Sequence, residues 1–320
     1  MNNKLLGEKF AKDFNKKFGI ITYSGTLAIE AALMSLGLKE NSKVLVMSET
    51  CYSITNAILK LNLDPVIVTC KNELFMTNED IDKVLETQDI DCIMLVHQYG
   101  ILNNIDTSKY RKMGIKIIED IAQSWTIKSN DYTVGINSDI VVTSFGKTKP
   151  LSYGIGGGLF FDDESTFNSM DYYDNESREK ETVLLSYSYP KCEEINYEEL
   201  KKLADHIVKE QQNNAKKYYK LLKNIKTIKC IKYSDNSSWH RYPIWFEDYE
   251  LFNKVVNEIK NTELEYQLQH EVNLVDLNRN KECISIDNRN QKQYIILLRT
   301  RNIDINKQIN GLKHIIKDLV

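Results

Sequence analysis

No apolar run in this 320-residue chain approaches the length of a membrane span, and Met1-Asn2-Asn3-Lys4 opens no signal-peptide core. Proline is scarce, at 4 residues, and the 13 glycines follow no period, which excludes Pro-rich linkers and collagen-like fibres. A basic excess is missing too. The 42 Lys plus Arg face 45 Asp plus Glu, for a formal charge of −3, which argues against a dedicated nucleic-acid binder. Six cysteines (Cys51, Cys70, Cys92, Cys192, Cys230, Cys283) form no C-x-x-C and read as reduced thiols of a cytosolic protein. The histidines show neither H-x-x-x-H nor mixed Cys/His spacing, so no metal site is expected. A soluble cytoplasmic protein without membrane or nucleic-acid partners is the expectation.

What is present is an alternation. Short runs rich in Val, Ile and Leu recur at Val44–Met47, Pro65–Cys70, Cys92–His97, Ile115–Glu119, Ile140–Ser144 and Leu159–Phe161. They lack polar alternation, as strands buried on both faces do. Helical stretches lie between them at Thr26–Leu36, Tyr52–Leu61 and Asn78–Leu85, the last capped by Thr77 or Asn78. This order predicts an α/β domain with a mainly parallel sheet. The strand signals stop at Phe161. A long helix is predicted over most of Tyr197–Lys223, from apolar residues at three-and-four spacing. Strands at Ile228–Tyr233, Tyr242–Phe246 and Tyr294–Leu298, with helices at Glu250–Lys260 and Ile305–Leu319, then suggest a smaller α+β domain.

Two motifs fail on inspection. Gly146-Lys147-Thr148 would need glycine at Val141 to end a phosphate-binding P-loop, and Gly154-Ile155-Gly156 would need it at Leu159 to be a dinucleotide fingerprint. Other pieces carry chemistry together. Ser24-Gly25-Thr26 is a small-residue turn before a helix, where free N–H groups and the positive dipole end suit a phosphate. Glu119-Asp120 ends a buried strand, at the edge of the sheet where ligands bind, and Gln123 lies one turn on. Ser144 ends another strand and is followed by Lys147 and Lys149. A lysine held in such a crevice can lose its proton by desolvation and become a nucleophile. The glycines from Gly154 to Gly158 permit close backbone approach.

In order and spacing these pieces resemble the DegT/DnrJ/StrS family of pyridoxal-phosphate (PLP)-dependent sugar aminotransferases. Ser24-Gly25-Thr26 is similar to its S-G-T, Val96-His97-Gln98-Tyr99-Gly100 to its V-H-x-Y-G, and Glu119–Ser124 to its E-D-x-A-Q-[AS]. Ser144-Phe145 followed by Lys149 is similar to its S-F-x-x-x-K, with a fainter echo in His240-Arg241-Tyr242-Pro243-Ile244. The resemblance implies fold type I: a PLP-binding large domain with a mixed seven-stranded sheet, placed at residues 1–195. A linker helix and small α+β domain follow at 196–320. It implies pyridoxal 5'-phosphate as cofactor, carried covalently by Lys149, with Asp120 on the pyridine nitrogen and Gln123 on the ring hydroxyl. Gly25, Thr26 and Ser144 would hold the phosphate. It also implies a homodimer, and amino transfer, with glutamate as donor, to a keto-sugar, nucleotide-linked, for surface polysaccharide or glycoconjugate synthesis.

Three features depart from the family's pattern. The ring that covers the cofactor is replaced by Cys51, leaving either Cys51 or the adjacent Tyr52 for that place. Ile155 stands where an acid is common, and the stretch from Asp162 to Asn196 is short. Two alternatives follow: a PLP enzyme acting on another substrate, or a non-catalytic relative serving as a binding subunit.

Overall fold

The computed structural model describes residues 3–70, 74–125, 128–129, 131–166, 195–268, 284–287 and 294–317. In chain order the first half forms α1 (Asn3–Asp13), β1 (Phe18–Thr22), α2 (Gly25–Ser35), β2 (Lys43–Met47), α3 (Tyr52–Lys60) and β3 (Asp64–Thr69). It continues with α4 (Asn78–Leu85), β4 (Cys92–Val96), α5 (Ser108–Lys112), β5 (Lys116–Asp120), β6 (Lys128–Ser129), β7 (Tyr132–Thr133), β8 (Ile140–Ser144) and β9 (Gly157–Phe161). After these come α6 (Tyr197–Leu222), β10 (Lys229–Cys230), β11 (Arg241–Phe246), α7 (Tyr249–Lys260), β12 (Tyr266–Leu268), β13 (Ile284–Asp287), β14 (Tyr294–Arg299) and α8 (Ile305–Lys317).

The main sheet runs β1-β9-β8-β5-β4-β2-β3-β13. Strands β8, β5, β4, β2, β3 and β13 are parallel, and β9 runs against both β8 and β1. Seven of the nine first-half strands make the expected mixed sheet, while β6 and β7 pair with each other. An eighth, β13, joins it from the second half of the chain against β3. The predicted strand runs are almost wholly enclosed: every residue of β4 is buried, as are Val44 to Met47 of β2. Parallel strands covered on both faces need no polar alternation. A second sheet, β10-β11-β14-β12, is antiparallel.

Local chemistry sets the helix starts. Ser24 caps α2 by accepting from Leu27 N–H, and Asn196 caps α6 by accepting from Glu199 N–H. The cap left open at α4 is Thr77, which forms a reciprocal capping box with Asp80. Each such cap contributes about 1 kcal/mol. Helix α6 ties the molecule together. Its Leu200, Ala204 and Val208 join an apolar cluster with Phe10, Phe145 and Phe160, while Ala215, Tyr218 and Leu222 join the larger core.

The sequence pattern missed α1, β1, α5 and the short strands β6, β7, β12 and β13. Strand β1 is five residues with Gly19 as its second, a weak strand signal that pairing with β9 overrides. The expected strand Ile228–Tyr233 is reduced to Lys229–Cys230. Most of the short stretch after Asp162, at 167–194, and the end of the last predicted helix lie outside the described residues. Among the described residues, no helix is long and apolar enough to cross a membrane.

Candidate active site

Because β2, β4, β5 and β8 are parallel, their carboxyl ends open at one edge of the sheet, where α/β proteins place their ligands. That edge gathers Cys51 after β2, His97 after β4, Asp120 at the end of β5 and Ser144 at the end of β8. The N-terminus of α2 abuts Ser144: a β-carbon at Gly25 would stand 2.8 Å from Ser144 Cβ and 3.1 Å from its hydroxyl. The extended Ser24 and the start of α2 are further held by a bridge from Ser24 to Gly156. Gly25, Thr26 and Ser144 therefore form one cradle, at the positive end of a helix 11 residues long.

Lys149 sits on the turn after β8, its N–H donating to Gly146 C=O at 2.9 Å. Burial pushes its ammonium below the ordinary lysine range. The fields of Asp120 and Cys51 oppose that shift, and Arg241 adds to it. Lys147, the rival nucleophile, is exposed. Asp120 is 6% exposed, and burial raises its carboxyl; a bond from Ala122 N–H at 2.8 Å and the fields of Lys149 and His97 pull the other way. A carboxylate can accept about four hydrogen bonds, so this one retains capacity for a cationic donor.

Gln123 is placed next to the same edge, but its side chain is engaged. Its Oε1 accepts from Tyr99 N–H at 3.0 Å and its Nε2 donates to Gln98 Oε1 at 2.9 Å. Tyr52, the first residue of α3, is 64% exposed. Cys51, the residue before it, is the one within the electrostatic reach of Lys149.

Residues flanking the second sheet also approach Lys149, and the sequence pattern had marked His240 and Arg241 only faintly. His240 is buried, has no hydrogen-bond partner at Nδ1, and is driven well below the usual histidine range by burial and by Arg241, Lys149 and Arg301. Arg301 donates to Lys149 C=O at 3.3 Å. It was missed because its only signal is an arginine just past a strand end.

The model of the DegT/DnrJ/EryC1/StrS aminotransferase family matches residues 1–289. The chain belongs to that family. GDP-perosamine synthase of Escherichia coli O157:H7 is 26% identical over 246 residues, covering 73% of this chain and 66% of that protein. The dTDP-3-amino-3,4,6-trideoxy-alpha-D-glucose transaminase of Micromonospora megalomicea subsp. nigra is 28% identical over 172 residues, covering 51% and 46%. The chain thus spans 66% and 46% of the lengths of these two relatives. Among solved structures, NtdA of Bacillus subtilis with bound cofactor PMP superposes with a TM-score of 0.75 at 20% identity, over 98% of this chain and 76% of that one. The fold is that of the fold-type-I PLP transferases, and pyridoxal phosphate is the cofactor of the DegT/DnrJ/EryC1/StrS family.

The residues present fit that group. A β-carbon at position 25 would collide with Ser144, so glycine there keeps the N–H groups at the start of α2 next to the Ser144 hydroxyl, a donor set that suits a phosphate. A lysine kept toward its neutral form and a buried carboxylate with spare acceptor capacity lie in one another's fields.

Proposed function

We propose that this protein is a PLP-dependent aminotransferase that moves an amino group from glutamate to a nucleotide-linked keto-sugar, for surface polysaccharide or glycoconjugate synthesis. The observation that carries the reading is the meeting of Lys149 and Asp120 beyond neighbouring strands, beside the Gly25–Ser144 cradle. The sugar class rests on the names of the two curated relatives.

The cofactor, when bound, supplies an electron sink for the carbon that loses or gains the amino group. Lys149 attaches it and then takes up and returns the proton at that carbon, a task for which a lysine biased toward the neutral amine is suited. Asp120 places its negative charge at the pyridine nitrogen and favours a proton there. Gly25 and Thr26 at the start of α2, with the Ser144 hydroxyl, hold the phosphate. Gln123 bonds the ring hydroxyl while anchored by Tyr99 and Gln98. The second sheet contributes cations, Arg241 and Arg301, on the side of Lys149.

The same reading keeps the division into a PLP-binding domain at 1–195 and a linker helix with a small domain at 196–320, with β13 returning to the large sheet. It also keeps a cytoplasmic homodimer, which sedimentation of the pure protein and cell fractionation would check.

The deciding experiment incubates the PLP-loaded protein with glutamate and a panel of nucleotide-linked keto-sugars. An amino-sugar nucleotide is the expected product. A PLP-binding protein that aminates none of them but transaminates another carbonyl compound would redirect the substrate. A protein with no visible PLP absorbance would support the binding-subunit alternative.

A further inference from the structure

Glu119, the acid next to Asp120, takes no part in the mechanism above. Side chains alternate along a strand, so the two acids project to opposite faces of the sheet. Glu119 is 2% exposed and satisfied three times over. It accepts from His97 Nε2 at 2.9 Å, from the Tyr132 hydroxyl, and from Gly135 N–H at 2.8 Å. His97 Nδ1 in turn accepts from Asn103 N–H at 3.1 Å, which assigns the ring proton to Nε2.

The turn that follows His97 is strained and crowded. Tyr99 and Gly100 both have positive φ, at 60° and 73°. A β-carbon on Gly100 would lie 2.6 Å from Gln123 C=O and 2.7 Å from His240 N. This one turn serves two clients. Tyr99 N–H holds Gln123 Oε1, and Gly100 C=O receives Ser238 N–H at 2.7 Å and Trp239 N–H at 3.0 Å, just before His240 and Arg241.

We propose that Glu119 is a positioning residue: through His97 it locks the Tyr99–Gly100 turn, and thereby both orients Gln123 and seats the Ser238–Arg241 segment beside Lys149. The part concerning Gln123 rests on the proposed cofactor site; the part concerning Ser238–Arg241 does not.

The physical reason is the donor count. Three donors converge on one carboxylate. An amide in its place has one acceptor oxygen: turned to His97 and Tyr132 it sets its NH2 against Gly135 N–H, and turned to Gly135 it faces His97 Nε2 with its NH2, which moves the ring proton to Nδ1 and takes the acceptor from Asn103 N–H. Tyr132→Phe removes one donor only and leaves the Glu119–His97 bond.

The test compares Glu119→Gln with Tyr132→Phe at temperatures where both are folded, by hydrogen exchange and by PLP titration. Glu119→Gln is expected to speed exchange at the Ser238 and Trp239 amides, to weaken PLP roughly tenfold, and to shift the pH midpoint of the visible absorbance. Tyr132→Phe is expected to do none of these. Unchanged exchange at Ser238 and Trp239 in Glu119→Gln would overturn the seating role, whether or not PLP binds. Faster exchange with an unaltered PLP signature would overturn the role toward Gln123. A lower thermal midpoint alone, equal in the two variants, would reduce Glu119 to packing. Should Glu119→Gln not fold, His97→Phe, which keeps a ring but removes both the donor to Glu119 and the acceptor for Asn103 N–H, carries the same expectation.

Discussion

Gly25 and Ser144 touch so closely that a methyl group cannot be placed between them: the added β-carbon would stand 2.8 Å from Ser144 Cβ. The first turn of a helix and the end of a strand 119 positions later in the sequence are thereby pressed into one cradle. Gly25→Ala is expected to cost about 1–3 kcal/mol of stability, the usual range for overpacking, and to weaken PLP binding. Urea denaturation and PLP titration would measure the two effects. A variant equal to the parent in both would show that Ser144 yields.

Reduction of the PLP-loaded protein with borohydride, followed by peptide mapping, is expected to find the label on Lys149. Lys147 is two residues away but exposed, whereas Lys149 is held in the field of Asp120. Lys149→Ala should lose the visible absorbance altogether. Label on Lys147, with absorbance retained in Lys149→Ala, would move the covalent site.

The pH behaviour of Lys149 follows from its two opposing influences. Burial lowers its pKa and Asp120 raises it. In Asp120→Asn the anion that stabilises the ammonium is gone, so the neutral amine should form at still lower pH. The rate at which the apo-protein captures PLP, followed by absorbance against pH, should show its midpoint moving down. An upward movement would mean that the carboxylate does not face this lysine. The same variant should lose far more turnover than PLP affinity, because the cradle that holds the phosphate is intact and the lost charge acts on the ring nitrogen.

Cys51 is exposed at the site, whereas Cys70 and Cys92 are buried. Iodoacetamide should therefore alkylate Cys51 in the folded apo-protein, and bound PLP should protect it. For Tyr52, the comparison of Tyr52→Ala with Tyr52→Phe should show equal PLP affinity, as expected for a ring that is 64% exposed. A tenfold loss in Tyr52→Ala alone, worth about 1.4 kcal/mol, would place that ring over the cofactor, and an alkylation rate at Cys51 indifferent to PLP would remove the thiol from the site.

Much of this protein is determined by local patterns in its sequence. Apolar runs such as Val44–Met47 and Cys92–Val96 announce buried parallel strands, and the acid, hydroxyl and lysine at or just beyond strand ends announce the site, because a parallel sheet delivers all its carboxyl ends to one edge. Short or glycine-interrupted elements such as β1 carry little local signal, since their stability comes from pairing partners far along the chain. The sequence likewise marked Glu119 only as a motif letter. Only the tertiary structure decided its surroundings. The donors that surround Glu119 come from residues 97, 132 and 135, on separate elements whose convergence no spacing rule encodes. Arg301 reaches Lys149 from the second sheet for the same reason: side chains meet across the fold through packing, which acts on distance in space and is blind to distance along the chain.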